Sequence, residues 1–203
     1  MTQNKPYLIG LTGGIASGKS MLSSALKGQG ALVIDADEIS RELTAENGPA
    51  LPLIRKVFGN AVFDGKFLNR KALARAVFED PAALEALDNL MHPLIFEEMD
   101  RQIHLHQEKP ALILDVPLLH ETGYDKKCDE VWCAWTPVNT QIERLTDRGL
   151  TEEEARARIR NQMPGIKKAL LSDRVIITTG PKENNARAVV RLYQDCLRRI
   201  KRV

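Results

Sequence analysis

Gly13-Gly14-Ile15-Ala16-Ser17-Gly18-Lys19-Ser20 follows the pattern G-x-x-x-x-G-K-[ST]. This octapeptide constrains the fold more than any other feature, because it belongs between the end of a strand and the start of a helix. Both surroundings are present. Tyr7–Leu11 is a short apolar run that reads as a buried strand, and Met21, Leu22, Ala25 and Leu26 recur at helical spacing after Gly18. Gly28 and Gly30 stop that helix. Ala31–Ile34 is a second β-like run, closing on Asp35-Ala36-Asp37. Strand, glycine-rich turn, helix and strand is the order of a parallel βαβ unit.

The chemistry of such a loop is local. Its glycines adopt backbone conformations closed to other residues and keep side chains away from an incoming phosphate. Backbone N–H groups then converge on the phosphate oxygens, helped by the N-terminus of the helix. Lys19 is expected to reach the β- and γ-phosphates of ATP, and the Ser20 hydroxyl to ligate Mg²⁺. The alternative, a plain helix start with Lys19 as a surface charge, leaves the paired glycines unexplained.

Further carboxylates and guanidinium groups fall where such a site needs them. Ligands of an open α/β sheet bind beyond the carboxyl ends of its strands. Asp35 and Asp37 stand there, where one accepts a hydroxyl proton or holds a metal-bound water, or Asp37 caps a helix starting near Glu38. Asp115 ends the apolar run Ala111–Leu114 and is a second candidate carboxylate at a strand end, followed by Pro117-Leu118-Leu119-His120-Glu121. Arg144 and Arg148 lie one turn apart on a helix opened by Pro137. They either stabilise the charge that spreads over a transferring phosphoryl group or pair with Glu143 and Asp147 on the helix surface.

Between about Ser40 and His106 the chain offers no convincing strand apart from Ala61–Phe63. Asn69 is a plausible cap for a helix carrying Leu73, Val77 and Phe78, and Pro81 suits the first turn of another. His92-Pro93 predicts a break before Leu94–His106. Strand character returns at 111–115 and 130–136. Thr151 with Glu154 forms a capping box for a charged helix whose Arg156, Arg158 and Arg160 point in different directions. Val175–Thr178 is a last strand and Ala186–Ile200 a closing amphipathic helix. The class is therefore α/β with a helical insertion.

Composition excludes several functions. Lys and Arg number 29 against 27 Asp and Glu, a net +2, so no field for a nucleic-acid partner is expected. The basic run Arg198-Arg199-Ile200-Lys201-Arg202 reads as the solvated end of the last helix, its cations near the negative end of the helix dipole. No apolar run is long enough for a membrane, and Met1–Lys5 lacks the apolar core of a secretory signal. Cys128, Cys133 and Cys196 include no C-x-x-C pair and read as packed, reduced thiols. His104 and His106, two residues apart, read as solvated and not as metal ligands. A cytoplasmic protein of unspecified oligomeric state is the expectation.

Together these residues resemble the dephospho-CoA kinase family, over nearly the whole chain. The likeness rests on Ile9-Gly10-Leu11-Thr12 leading into the loop, Val33-Ile34-Asp35-Ala36-Asp37, Phe58-Gly59, Leu68-Asn69-Arg70, His92-Pro93, Val116-Pro117-Leu118-Leu119 with Glu121, Gln141 with Arg144 and Arg148, and Gln162 with Asp173. The resemblance implies a P-loop NTPase-type, five-stranded parallel sheet flanked by helices. It further implies a core (about 1–60, 109–138 and 173–203), a helical substrate subdomain (about 61–108) and a lid (about 139–172). It implies ATP and dephospho-CoA as substrates, Mg²⁺ held by Ser20, and Asp37, Lys19 and Arg144 as catalytic residues. ATP would contact Gly13, Gly14, Ile15, Ala16, Ser17, Gly18, Lys19, Ser20, Met21, Arg144 and Arg148. Dephospho-CoA would contact Asp37, Arg70, His92, Pro117, Leu118 and Glu121. The chain departs from the family pattern at Ala16, usually glycine, at Met21, usually threonine, and at His120, usually apolar. It also departs at Gly165 and Lys168, where arginines are common.

Another small-molecule kinase, acting on a nucleoside or nucleoside monophosphate, would share the loop, the arginines and Asp37. It would not call for Arg70, His92-Pro93 and the Pro-Leu-Leu-x-Glu segment together. A nucleotide-dependent switch is disfavoured, since no Asp-x-x-Gly follows a strand and no Asn-Lys-x-Asp is present.

Overall fold

A computed structural model describes residues 5–201; Met1–Asn4 of the supposed signal-free start and Arg202 of the basic run lie outside the described residues. Strand β1 (Tyr7–Gly13) is buried along almost its whole length. It pairs in parallel on one side with Ala111–Asp115, which we number β5, and on the other with β6 (Glu130–Trp135). Strands covered on both faces read as continuous apolar runs, which is why these segments were legible. β6 pairs in parallel with β7 (Arg174–Ile177), and β2 (Val33–Asp35) lies beside β5, giving the order β2-β5-β1-β6-β7. This is the expected five-stranded parallel sheet.

Helix α1 (Lys19–Gly28) and helix α9 (Lys182–Ile200) pack against each other, and their inward residues join the strands in one core. That core includes Ile9, Leu11, Leu22, Leu26, Ile113, Trp132, Val189, Tyr193 and Cys196. A smaller cluster joins Ile142 and Leu145 of α6 (Val138–Thr146) to Ala155 of α7 (Glu152–Arg160), with Ile15 and Ala16 packed against it. The Thr151–Glu154 capping box is present in both directions. Helix α8 (Gly165–Leu171) lies between α7 and β7 in sequence.

The described residues form two compact units, 1–34 with 106–203, and 35–105. In the second, α2 (Ala36–Leu43) and α3 (Leu51–Phe58) each pack on α5 (Pro81–Leu105), as does α4 (Arg70–Glu79). Asn69 caps α4, its side chain accepting from Ala72 N–H at 2.9 Å. The expected strand near 61–63 is instead a single helical turn, Asn60–Val62, leading into a two-stranded antiparallel hairpin of β3 (Phe63–Asp64) and β4 (Phe67–Leu68). The break expected at His92-Pro93 does not occur, and α5 runs through it. Proline removes one N–H and crowds the preceding turn, a cost of about 3 kcal/mol in an isolated helix. Here burial of Met91, Ile95 and Met99 on either side of Pro93 offsets it.

At the entry end of the sheet, buried Glu130 collects Arg174 Nε at 3.0 Å, an Arg199 guanidinium nitrogen at 2.7 Å and the Tyr7 hydroxyl at 3.3 Å. Arg199 is therefore tied to the core and not merely solvated, while Arg198 pairs with Asp195 on the helix surface. Burial works against the Glu130 charge, but the hydrogen bonds from Arg199 and Arg174 outweigh it and hold the carboxyl below the ordinary glutamate range. Burial, chiefly, pushes the Cys133 thiol up to about 11 and Cys128 up to about 12, so both stay protonated at neutral pH. Because the folded Glu130 value lies below the unfolded one, its stabilisation is present above the unfolded value and is lost as pH falls through the folded value. Glu130→Gln should cost about 1–3 kcal/mol at neutral pH. It should also flatten the acid limb of stability against pH, as measured by urea unfolding from pH 3 to 8.

Candidate active site

The loop 13–20 leaves β1 and enters α1 through Gly18, whose φ of 88° lies in the left-handed region. No side chain caps α1, and no acid sits in its first turn. A Cβ on Gly13 would come within 2.7 Å of the Ala134 carbonyl oxygen, so this position needs glycine for close approach to β6. Ala16 also adopts a positive φ, 57°, which explains why glycine suits that position in the resembling family.

The carbonyls from Gly14 to Gly18 are each turned onto a protein donor. Gly14 O accepts from Ser17 N–H at 3.1 Å, and Ile15 O from Gln141 Nε2 at 2.6 Å. Ala16 O accepts from Arg144 at 3.0 Å, Ser17 O from the Thr178 hydroxyl, and Gly18 O from Met21 and Leu22 N–H. Arg144 also donates to Thr178 O at 2.6 Å. With the carbonyls held this way, the amides are treated differently. Ile15 N–H donates to Gln162 Oε1 at 2.9 Å, whereas among the described residues no protein acceptor takes the N–H groups of Ala16, Gly18, Lys19 or Ser20. An anion with several oxygens is the natural acceptor for such a set.

Lys19 forms an ion pair with Asp115, whose side chain is 2 % exposed. The parallel register explains the meeting: Leu11 stands opposite Asp115, two residues before the loop begins. Ser20 is exposed on the first turn of α1, next to that pair in sequence. A hydroxyl and one carboxylate are the donor set that suits Mg²⁺, which keeps several waters and takes its other ligands from phosphate oxygens.

Of the arginines, Arg144 is engaged by the loop and not by Glu143 or Asp147, and Arg148 is exposed one turn later. In the unit 35–105, Asp35 is the cap of α2, accepting from Asp37 N–H at 2.9 Å and Glu38 N–H at 3.2 Å. The capping role considered for Asp37 thus belongs to Asp35, because the helix begins at Ala36, earlier than expected. Asp37 is exposed in the first turn. Arg70 donates to the carbonyls of Arg41 and Thr44, at 3.2 and 3.3 Å, fixing α4 to the end of α2. His92 stacks on Phe96 within α5 and lies 3.9 Å from Asp88.

The segment after β5 is held internally. Pro117 O accepts from the Thr12 hydroxyl at 3.1 Å and from Lys168 Nζ at 2.6 Å, and Leu118 O accepts from Thr122. Glu121 accepts from Lys168 at 2.8 Å and from Met163 N–H at 3.1 Å. The His120 side chain is 2 % exposed, beside Ser172 at 3.1 Å and Asp125 at 3.4 Å. Thr178 went unnoticed as a site residue, since a threonine after an apolar run carries no signal, and Lys168 was marked only as a departure from the family pattern, with no role read from it.

Sheet order, loop and anchoring arginine define a P-loop kinase. The family model described as dephospho-CoA kinase matches residues 7–184. A dephospho-CoA kinase of Symbiobacterium thermophilum is 46% identical over 178 residues, covering 85% of this chain and 74% of that protein. Among solved structures, a Thermus thermophilus protein superposes with a TM-score of 0.79 at 34% identity, covering 94% of this chain and 97% of that one. Dephospho-CoA kinase from Campylobacter jejuni superposes at 0.65 with 25% identity, covering 94% and 97%. This chain belongs to the dephospho-CoA kinase family.

Removing Lys19 leaves the buried Asp115 carboxylate without its cation, a loss of about 3–5 kcal/mol for a broken buried pair. Lys19→Ala should therefore lower the melting temperature as well as turnover. Adding Asp115→Asn to that variant should recover much of the melting temperature while turnover stays lost. Calorimetry and a phosphotransfer assay on both variants check this.

Proposed function

We propose that this chain transfers the γ-phosphoryl group of ATP to the ribose 3′-hydroxyl of dephospho-coenzyme A, giving coenzyme A and ADP. The observation that carries the reading is the set of unaccepted N–H groups at Ala16, Gly18, Lys19 and Ser20, in a chain whose family match spans 7–184. The loop supplies the phosphate cradle, and family membership supplies the acceptor.

In this reading the β- and γ-phosphates accept from the loop amides, and Lys19 exchanges part of its hold on Asp115 for phosphate oxygens. Ser20 and Asp115 would hold Mg²⁺, which supplies charge neutralisation between the β- and γ-phosphates when bound. Arg144 keeps its two carbonyl contacts and directs its remaining N–H groups toward the transferring group. Asp37 orients the 3′-hydroxyl and takes its proton as oxygen bonds to the γ-phosphorus. The bond from that phosphorus to the bridging oxygen breaks, and ADP leaves. Arg70 holds α4 to α2, the helix that carries Asp37, and so helps fix the base. His92 and the segment from Pro117 through Leu118 to Glu121 are assigned to the dephospho-CoA side, and Arg148 and Met21 to the ATP side.

Incubation with ATP, Mg²⁺ and dephospho-CoA should yield coenzyme A by mass, and Lys19→Ala should abolish it. Phosphorylation of a nucleoside with no coenzyme A formed would overturn the acceptor and keep the fold. Asp37→Asn should lower kcat by about 10²-fold or more while ATP still binds; near-normal turnover removes Asp37 as the base. Arg144→Ala should slow transfer more than it weakens ATP binding, a split that steady-state and equilibrium measurements resolve.

A further inference from the structure

Lys168 is a charged side chain with no exposure, in α8, a helix that packs on β1 and β6. Burying an ammonium costs several kcal/mol unless its donors are met, and an apolar residue of similar volume would be cheaper to bury. Its donors are met by Pro117 O at 2.6 Å and Glu121 Oε1 at 2.8 Å.

Both acceptors lead to the phosphate loop. Pro117 O is shared with the hydroxyl of Thr12, the residue before Gly13. Glu121 Oε1 is shared with Met163 N–H at 3.1 Å, and the residue before Met163 is Gln162, whose Oε1 accepts from Ile15 N–H at 2.9 Å. Lys168 thus reaches the loop by one path at Thr12, directly before it, and by a second at Ile15. The second path fixes the Gly14–Ile15 peptide, directly before the amides that face no protein acceptor. The backbone of Lys168 is itself fixed, its carbonyl accepting from Ser172 Oγ at 2.8 Å, and Ser172 lies beside the buried His120 ring.

We infer that Lys168 is a positioning residue for ATP: its ammonium braces Pro117 and Glu121 so that Gln162 holds Ile15 and the loop amides stay aligned on the phosphates. This rests on the reading that 13–20 cradles ATP. An equilibrium Kd for ATP unmoved by Lys19→Ala would overturn that reading, separately from anything measured at Lys168.

The test is a kinetic cycle between Lys168 and Gln162, which share no hydrogen bond among the described residues, in the full chain well below its melting temperature. Lys168→Met should raise KM for ATP by about tenfold, the scale of a lost charge-assisted hydrogen bond. Gln162→Leu should act in the same direction. The double variant should show less than the product of the two single effects, because they lie on one path. Effects that multiply fully, or a lowered melting temperature with KM for ATP unchanged, would reduce Lys168 to a packing role and overturn the inference. Should Lys168→Met fail to fold, Glu121→Gln decides. It keeps an acceptor for Met163 N–H but removes the charge facing Lys168, so it should raise KM for ATP by about threefold, and that rise should shrink in the Gln162→Leu background. A Glu121→Gln variant with unchanged KM for ATP would overturn the inference.

Discussion

Among the described residues, no protein acceptor takes the backbone N–H groups of Ala16, Gly18, Lys19 and Ser20, on a loop that is half-buried to exposed at those positions. Such a cluster holds only if the same peptide units are fixed through their other polar group. The structure does this carbonyl by carbonyl: Gln141 on Ile15, Arg144 on Ala16, and Thr178 on Ser17. Those three side chains come from α6 and from the end of β7, so the loop is built by distant parts of the chain. The apolar contacts of Ile15 and Ala16 with Ile142, Leu145 and Ala155 add a non-directional grip beneath the directional one.

What was legible in the sequence follows from how local each signal is. β1, β5, β6 and the loop were readable because a buried parallel strand needs an unbroken apolar run, and because glycines at fixed spacing have few other uses. The capping residues Asn69 and Thr151 were readable for the same reason, since each acts within three residues of itself. Thr178 and Lys168 were not. Their roles depend on partners at Ser17, Pro117 and Glu121, and nothing in their neighbours in sequence points there. Pro93 misled in the opposite way: its local preference is real, but tertiary burial along α5 outweighs it.

Charge inside the unit formed by 1–34 and 106–203 follows one rule. Each buried ionic group sits where several elements must be held in register. Asp115 with Lys19 joins the end of β5 to the start of α1, and Lys168 with Glu121 joins α8 to the segment after β5. Glu130 with Arg174 and Arg199 joins β6, β7 and α9 at the entry end of the strands. Apolar pairs would fill the same space at lower desolvation cost, but they would not fix direction, and aligned amides depend on direction.

Arg144 shows why a motif alone assigns a role poorly. From sequence it is a cation at helical spacing from Arg148, with acidic neighbours ready to neutralise it. In the structure it ignores both acids and bridges two carbonyls, Ala16 O and Thr178 O, that lie on different strand-to-helix connections. A guanidinium can do this because its donors are arranged in a rigid plane; a lysine ammonium at the same position could satisfy one carbonyl and approach the other but would not fix their separation. Arg144 therefore sets the spacing between the phosphate loop and the segment after β7. Arg148, one turn away and exposed, has the same charge without the geometry. The difference between the two residues lies in what their nitrogens touch, and it is the contact with the loop backbone that makes Arg144 the stronger candidate for stabilising transferred charge.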